Sequence, residues 1–238
     1  MPKIFSIEGN IGSGKSTLIK KIKKQFRWVK HRKIIFLQEP VNIWESFTDG
    51  SKNIIEKFYE NQKEWAFSFQ MMAFISRISQ LKRKIEKYNY ESYIIITERC
   101  VETDKNVFAK MLFDEEKINP INYQIYLKWF DEFVSDIKID GHIYLKTEPE
   151  ISLERIKKRN RKGETISIDY LKKCHNYHNN WLDKKDEVLI IDVSSEISEE
   201  IINEWGNSIT NFIIDNITKS NIEKYNREFN NIMSNHIC

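Results

Sequence analysis

The chain predicts an α/β fold, a five-stranded parallel sheet with helices on both faces. Three observations carry that expectation. Five short apolar runs recur, at residues 3–8, 34–37, 93–97, 142–145 and 188–191. Each is nearly unbroken rather than alternating, as in strands buried on both sides. Stretches with helical spacing fall between them, roughly 53–88, 104–135, 149–160 and 167–183, so strand and helix alternate. Finally, a glycine loop of the pattern G-x-x-x-x-G-K-S, Gly9 to Ser16, sits between the first strand and the first helix.

The first strand, Lys3 to Glu8, feeds that loop: Gly9, Asn10, Ile11, Gly12, Ser13, Gly14, Lys15 and Ser16, with Thr17 opening the helix behind it. Glycines let backbone N–H groups close around phosphate oxygens at a helix N-terminus. The lysine then reaches the β- and γ-phosphates, and the serine hydroxyl takes Mg²⁺. A glycine turn without a ligand would not need the strand and helix on either side, so the expected ligand is ATP or GTP. The following run from Lys20 to Lys33 is basic. Leu18, Ile19, Ile22 and Phe26 keep helical spacing inside it, so the charges read as a solvated helix face rather than a nucleic-acid surface.

Ligands in such sheets sit past the carboxyl ends of the strands. The second strand ends in Glu39-Pro40-Val41-Asn42-Ile43-Trp44 and the third in Glu98-Arg99-Cys100. A carboxylate beside a triphosphate suits a general base for a hydroxyl acceptor or a metal ligand. An arginine between two carboxylates would hold them and neutralise developing phosphoryl charge. After the fourth strand, Arg155 and Arg159 share a helix face, and Arg161 follows in a segment ending at Gly163. A basic face on a mobile segment is what a lid over phosphates needs.

Composition sets the outer bounds. The 238 residues, 40% hydrophobic and 31% charged, suit one domain, placed at 1–215, with a polar tail at 216–238. A net charge of +3 does not demand a nucleic-acid partner. Cys100, Cys174 and Cys238 are scattered, which speaks against disulfides and zinc and fits a reducing compartment. No run is apolar and long enough for a membrane span, and a strand beginning at about residue 3 leaves no leader. The expected location is cytoplasmic, with no membrane partner.

Taken together, these pieces resemble the deoxynucleoside kinase family. The matching segments are Gly9–Ser16, Glu39-Pro40-Val41 with Trp44, Phe58-Tyr59-Glu60 with Trp65 and Phe69-Gln70, Glu98-Arg99, and the Arg155–Glu164 lid followed by Tyr170-Leu171. The resemblance implies a P-loop kinase fold that moves the γ-phosphate of ATP to a deoxynucleoside 5′-hydroxyl. It implies that Lys15, Ser16 and Thr17 hold ATP and Mg²⁺ and that Glu39 takes the hydroxyl proton. It further gives Glu98 to the metal, Arg99 to steadying Glu39 and the phosphates, and Arg155, Arg159 and Arg161 to the transferring phosphoryl group. Tyr59 and Glu164 would bond the sugar 3′-hydroxyl, while Trp44, Ile55, Phe69 and Phe108 wall the base. The loop from Val193 to residue 197 would lie against adenine. Two positions depart from the family pattern: Cys100, where serine is usual, and Asn160, where the lid commonly has glycine.

Which base is read rests on Gln70, Arg77 and Asp104. Gln70 and Arg77 lie seven apart on one helix, hence on one face, and Asp104 opens the next helix, where it could meet Arg77. A plain interhelical ion pair is one reading. In the other, Asp104 accepts a hydrogen bond from an exocyclic amino group, Arg77 keeps it charged, and Gln70 bonds the base edge. The resemblance favours the second and therefore deoxycytidine or a purine deoxynucleoside over thymidine. Helical stretches 65–81 and 123–134 are apolar on more than one face, and the resemblance implies a homodimer through them. A nucleoside monophosphate kinase would need basic residues facing its acceptor, where this chain offers Glu60 and Glu64. A GTPase would carry N-K-x-D, which the chain lacks.

Overall fold

The computed structural model describes residues 1–161, 163–195 and 198–235. In chain order it holds β1 (Lys3–Glu8), α1 (Lys15–Gln25), β2 (Trp28–Val29), β3 (Arg32–Leu37), α2 (Val41–Ser46), α3 (Ile54–Glu60) and α4 (Gln62–Lys87). Next come β4 (Tyr93–Glu98), α5 (Val101–Thr103), a π-helical turn (Asp104–Ala109), α6 (Lys110–Asp114) and α7 (Pro120–Val134). The last elements are β5 (Gly141–Lys146), α8 (Pro149–Arg159), α9 (Ile168–Leu182), β6 (Val188–Asp192) and α10 (Glu199–Asn235).

The sheet order is β2-β3-β4-β1-β5-β6. The five apolar runs are its five parallel strands. The expectation of five strands is short by one. β2 adds a sixth, antiparallel to β3, pairing Trp28 with Lys33 and Val29 with Arg32. Its two-residue turn, Lys30 and His31, has φ of 42° and 64°, the double positive φ of a tight hairpin. Neither residue is a glycine or asparagine, so the usual hairpin signal is absent from the sequence.

The strands read as unbroken runs because both faces are covered. Phe5, Ile7, Ile94 and Ile96 pack with Leu18, Ile19 and Ile22 of α1 and with Ile202, Ile209, Ile213 and Ile217 of α10. Their neighbours Ile4 and Ile95 point the other way, with Leu37 of β3 against Leu81 of α4. Period-two alternation thus splits each strand between two cores. α10 crosses close over α1, where a Cβ on Gly206 would fall 2.1 Å from the Phe26 ring. α10 runs unbroken past residue 216, and Asn216 and Ile217 are still buried. Residues 221–232 are all exposed, so packing on the body ends near Ile217.

Candidate active site

The phosphate loop is held open by its glycines. Gly9, Gly12 and Gly14 have φ of 144°, 82° and 97°, a region that L side chains rarely enter. A Cβ on Gly12 would sit 2.5 Å from the Ser152 carbonyl oxygen, whereas one on Gly14 would meet nothing within 4 Å. The loop therefore packs on α8 behind and faces the cleft in front. Asn10 ties it to α9, its Nδ2 donating to Leu171 O at 2.9 Å while its Oδ1 accepts from Ile11 N at 2.8 Å. Lys15 Nζ donates to Gly9 O at 3.0 Å and Asn10 O at 2.7 Å. Burial, with Arg99 nearby, brings the Lys15 amine down to about 7 against the pull of Glu39, Glu98 and Glu8.

Glu39, just past β3, is the most crowded charge. Its Oε1 accepts from Arg99 Nη1 at 2.7 Å and Arg77 Nη2 at 3.1 Å. Burial alone would raise this carboxyl, but Arg99, Arg77 and Lys15 outweigh it and bring it to about 2. Arg99 reaches on to Gly9 O at 3.2 Å. Arg77 reaches the other way, its Nε 2.8 Å from Asp104 Oδ2 and its Nη1 2.9 Å from Glu98 O. Arg99 holds a left-handed backbone, φ 58°, a strained state that is retained where the surroundings fix it. Its N–H to Ile7 O bond of 3.0 Å does part of the fixing.

Ser16 Oγ donates to Glu98 Oε1. Beneath them Glu8 accepts from Cys100 N at 3.0 Å and Thr103 Oγ1 at 2.6 Å, pinning α5 to the end of β1. Cys100 is buried, its Sγ 3.7 Å from Thr103 Oγ1. Asn160 ends α8 at φ 48°. Asparagine tolerates that conformation better than most residues.

These groups line one cleft of about 650 Å³. Ile11, Gly12, Gly14, Lys15, Ser16 and Thr17 form one end, and Trp44, Ile55, Tyr59, Phe69, Gln70, Asp104 and Phe108 the other. Glu39, Arg77, Glu98 and Arg99 join the two, Arg99 reaching Gly9 and Arg77 reaching Asp104, and Arg155, Arg159, Arg161 and Glu164 complete the lining. Gly9, Asn10 and Ser13 shape the loop from outside the cleft. Val193 is buried and also stands outside it, its carbonyl accepting from Arg155 Nη2 at 2.7 Å. Residues 196 and 197 of the expected adenine loop lie outside the described residues, as do 236–238 of the tail. Arg159 pairs with Glu164 at 2.6 Å, and Arg161 lies 3.9 Å from it. Burial, with Glu164 close by, pushes the Tyr59 hydroxyl well above its ordinary value.

The cleft also takes in Lys20, Gln38, Val41, Phe58, Ala73 and Tyr170. Val41, Phe58 and Tyr170 stand in the motif segments quoted above, Lys20 lies one turn past Ser16, and Ala73 falls between Gln70 and Arg77 on their shared face; Gln38 alone of the six carried no signal.

A sequence model of the deoxynucleoside kinase family matches residues 5–235. A probable deoxycytidine kinase of fowlpox virus is 40% identical over 189 residues, 78% of this chain and 74% of that protein. Mitochondrial deoxyguanosine kinase of Xenopus laevis is 33% identical over 77% of this chain and 74% of its own length. Human deoxycytidine kinase is 34% identical over 76% of this chain and 75% of its own. With such matches over most of its length, the chain belongs to the deoxynucleoside kinase family and is an ATP-dependent deoxynucleoside kinase.

Proposed function

We propose that the enzyme phosphorylates the 5′-hydroxyl of deoxycytidine or a purine deoxynucleoside in preference to thymidine. The supporting observation is a single cleft with a phosphate loop at one end, an aromatic pocket holding Gln70, Arg77 and Asp104 at the other, and Glu39 between. Among the described residues Glu39 Oε1 has two guanidinium donors and Oε2 has no hydrogen bond, so Oε2 is the atom that takes the hydroxyl proton. Arg99 and the lid arginines Arg155, Arg159 and Arg161 neutralise the charge that gathers on the transferring group.

ATP fits the loop, since Gly14 faces open space and, among the described residues, Lys15 Nζ bonds backbone carbonyls and a serine hydroxyl. Ser16 and Glu98 supply the hard oxygen donors that Mg²⁺ prefers. Bound there, Mg²⁺ would neutralise phosphate charge. Tyr59 and Glu164 bond the sugar 3′-hydroxyl, and Trp44, Ile55, Phe69 and Phe108 enclose the base. In the base pocket Asp104 accepts from an exocyclic amino group, and Gln70 Oε1, buried with no partner, accepts a second hydrogen bond. Thymine lacks that amino group.

The face of α7 carrying Ile121, Ile125, Trp129 and Phe133, with Ile75 of α4, is exposed and serves a homodimer. No described helix is long and apolar enough to cross a membrane, and Cys100 and Cys174 are free thiols. Both fit a cytoplasmic enzyme. Assaying the four deoxynucleosides with ATP and Mg²⁺ tests the preference, and thymidine emerging as the best substrate would overturn it. Glu39→Gln should cut kcat by about 10²–10⁴-fold with ATP binding preserved.

A further inference from the structure

Arg77 is shared between two carboxylates that the proposed reaction uses for different ends. Its Nε and Nη2 face Asp104 at 2.8 and 3.3 Å, and the same Nη2 lies 3.1 Å from Glu39 Oε1. The third anchor, Nη1 to Glu98 O at 2.9 Å, comes from the strand end that also carries Arg99. All three nitrogens are engaged, and Arg77 and Asp104 are nearly inaccessible, 5% and 2% exposed. A planar guanidinium so fixed cannot turn toward one partner without changing its geometry to the other. For reading a base, Asp104 and Gln70 would suffice. The contact to Glu39 does something else.

We propose that Arg77 is a positioning residue for the proton acceptor. Together with Arg99 it occupies Glu39 Oε1, turns Oε2 into the cleft, and links the base-reading carboxylate to the catalytic one. This rests on the proposed role of Glu39 as base. Base recognition and proton transfer are then coupled through a single side chain. A nucleoside that fails to engage Asp104 is penalised in kcat as well as in binding. The groups facing Glu39 are Arg99 from the end of β4, Arg77 from α4 and Lys15 from α1. Glu98 shares Lys15 with it, and Asp104 acts on it from behind Arg77. Removing Arg77 leaves Arg99 and Lys15 as the chief cations on the carboxylate among the described residues, so its affinity for a proton rises.

The double variant Arg77→Met with Asp104→Ala separates the two roles, because it removes the buried pair together. Its kcat is measured against pH with deoxycytidine and with thymidine, beside Asp104→Asn, which keeps Arg77. A positioning role moves the acid limb of kcat upward with both nucleosides, by less than the roughly one to two pH units that losing one adjacent opposite charge alone would give, because the like charge of Asp104 goes with it. Asp104→Asn should change nucleoside ranking without that upward move. If the double variant changes ranking while its acid limb stays at the wild-type position, Arg77 reads the base only and the proposal falls. Should the double variant not fold, Arg77→Lys is the second probe: one ammonium cannot hold Glu39 and Asp104 in the fork geometry, so kcat should fall with deoxycytidine and with thymidine alike, and an unchanged kcat with both overturns the proposal. Glu39→Gln reports on the underlying reading separately, since near-full activity there removes the base itself and this proposal with it.

Discussion

The donor and acceptor ends of the cleft are built in opposite ways. The donor end is eight consecutive residues, and its ligand-facing surface is mostly backbone held open by three positive-φ glycines. The acceptor end draws Glu39, Arg77, Arg99 and Asp104 from four separate segments and joins them as a buried charge network. Backbone amides shaped by a loop cost little when the ligand is away, because water and neighbouring carbonyls satisfy them. Buried charges must be satisfied at all times, so the acceptor end carries its binding geometry as part of the fold.

The sharpest test of that contrast is Lys15→Ala. Turnover should fall by orders of magnitude and ATP-induced thermal stabilisation should vanish. Stabilisation by the nucleoside should persist, and the ligand-free melting temperature should hold, because a buried cation has been removed rather than unpaired. A large drop in ligand-free stability would show that the donor end is also structural. Asp104→Leu is the counterpart at the other end. It strands Arg77 with one carboxylate fewer, and urea melts should show a loss of about 3–5 kcal/mol. A loss below about 1 kcal/mol would mean the network is dispensable to the fold.

Stability against pH should separate the two ends as well. Glu39 falls from 4.5 to about 2 on folding, so its contribution is present above pH 4.5 and is lost as pH falls toward 2. The amount is of the order of a few kcal/mol. Lys15 drops from 10.5 to about 7. The unfolded chain therefore binds the extra proton across that window, and stability should rise as pH climbs from 7 to 10.5. Lys15→Met should flatten the alkaline rise and leave the acid loss in place, as guanidinium melts at several pH values would show. The smallest effect is expected from ending the chain after Ser220, past the last buried residue of α10. Activity and melting temperature should be unchanged, and a loss of kcat would bring the tail into the site.

How much could be read beforehand follows from the same contrast. The loop was legible because its chemistry is contiguous, and the five parallel strands because burial on both faces leaves unbroken apolar runs. The Arg77–Asp104 contact was reachable from helix spacing. The link from Arg77 to Glu39 was not, since it depends on how far α4 lies from the end of β3. The π-helical turn from Asp104 to Ala109 also left no mark on the pattern. It widens one helical turn where Asp104 and Phe108 enter the cleft. β2 escaped because Lys30 and His31 adopt positive φ without the residues that usually announce it.

That two-residue strand has a consequence for how the protein comes to be folded at all. A parallel sheet is assembled from distant segments and forms slowly, and until it closes, the outer edge of β3 would offer a row of free backbone groups to any other chain. β2 is joined to β3 by a turn of two residues, so its pairing is local and forms on the microsecond scale. It covers the first two residues of β3, Arg32 and Lys33, at that edge. The consequence of this short pairing is to be sought in refolding yield at high protein concentration rather than in the stability of the finished enzyme.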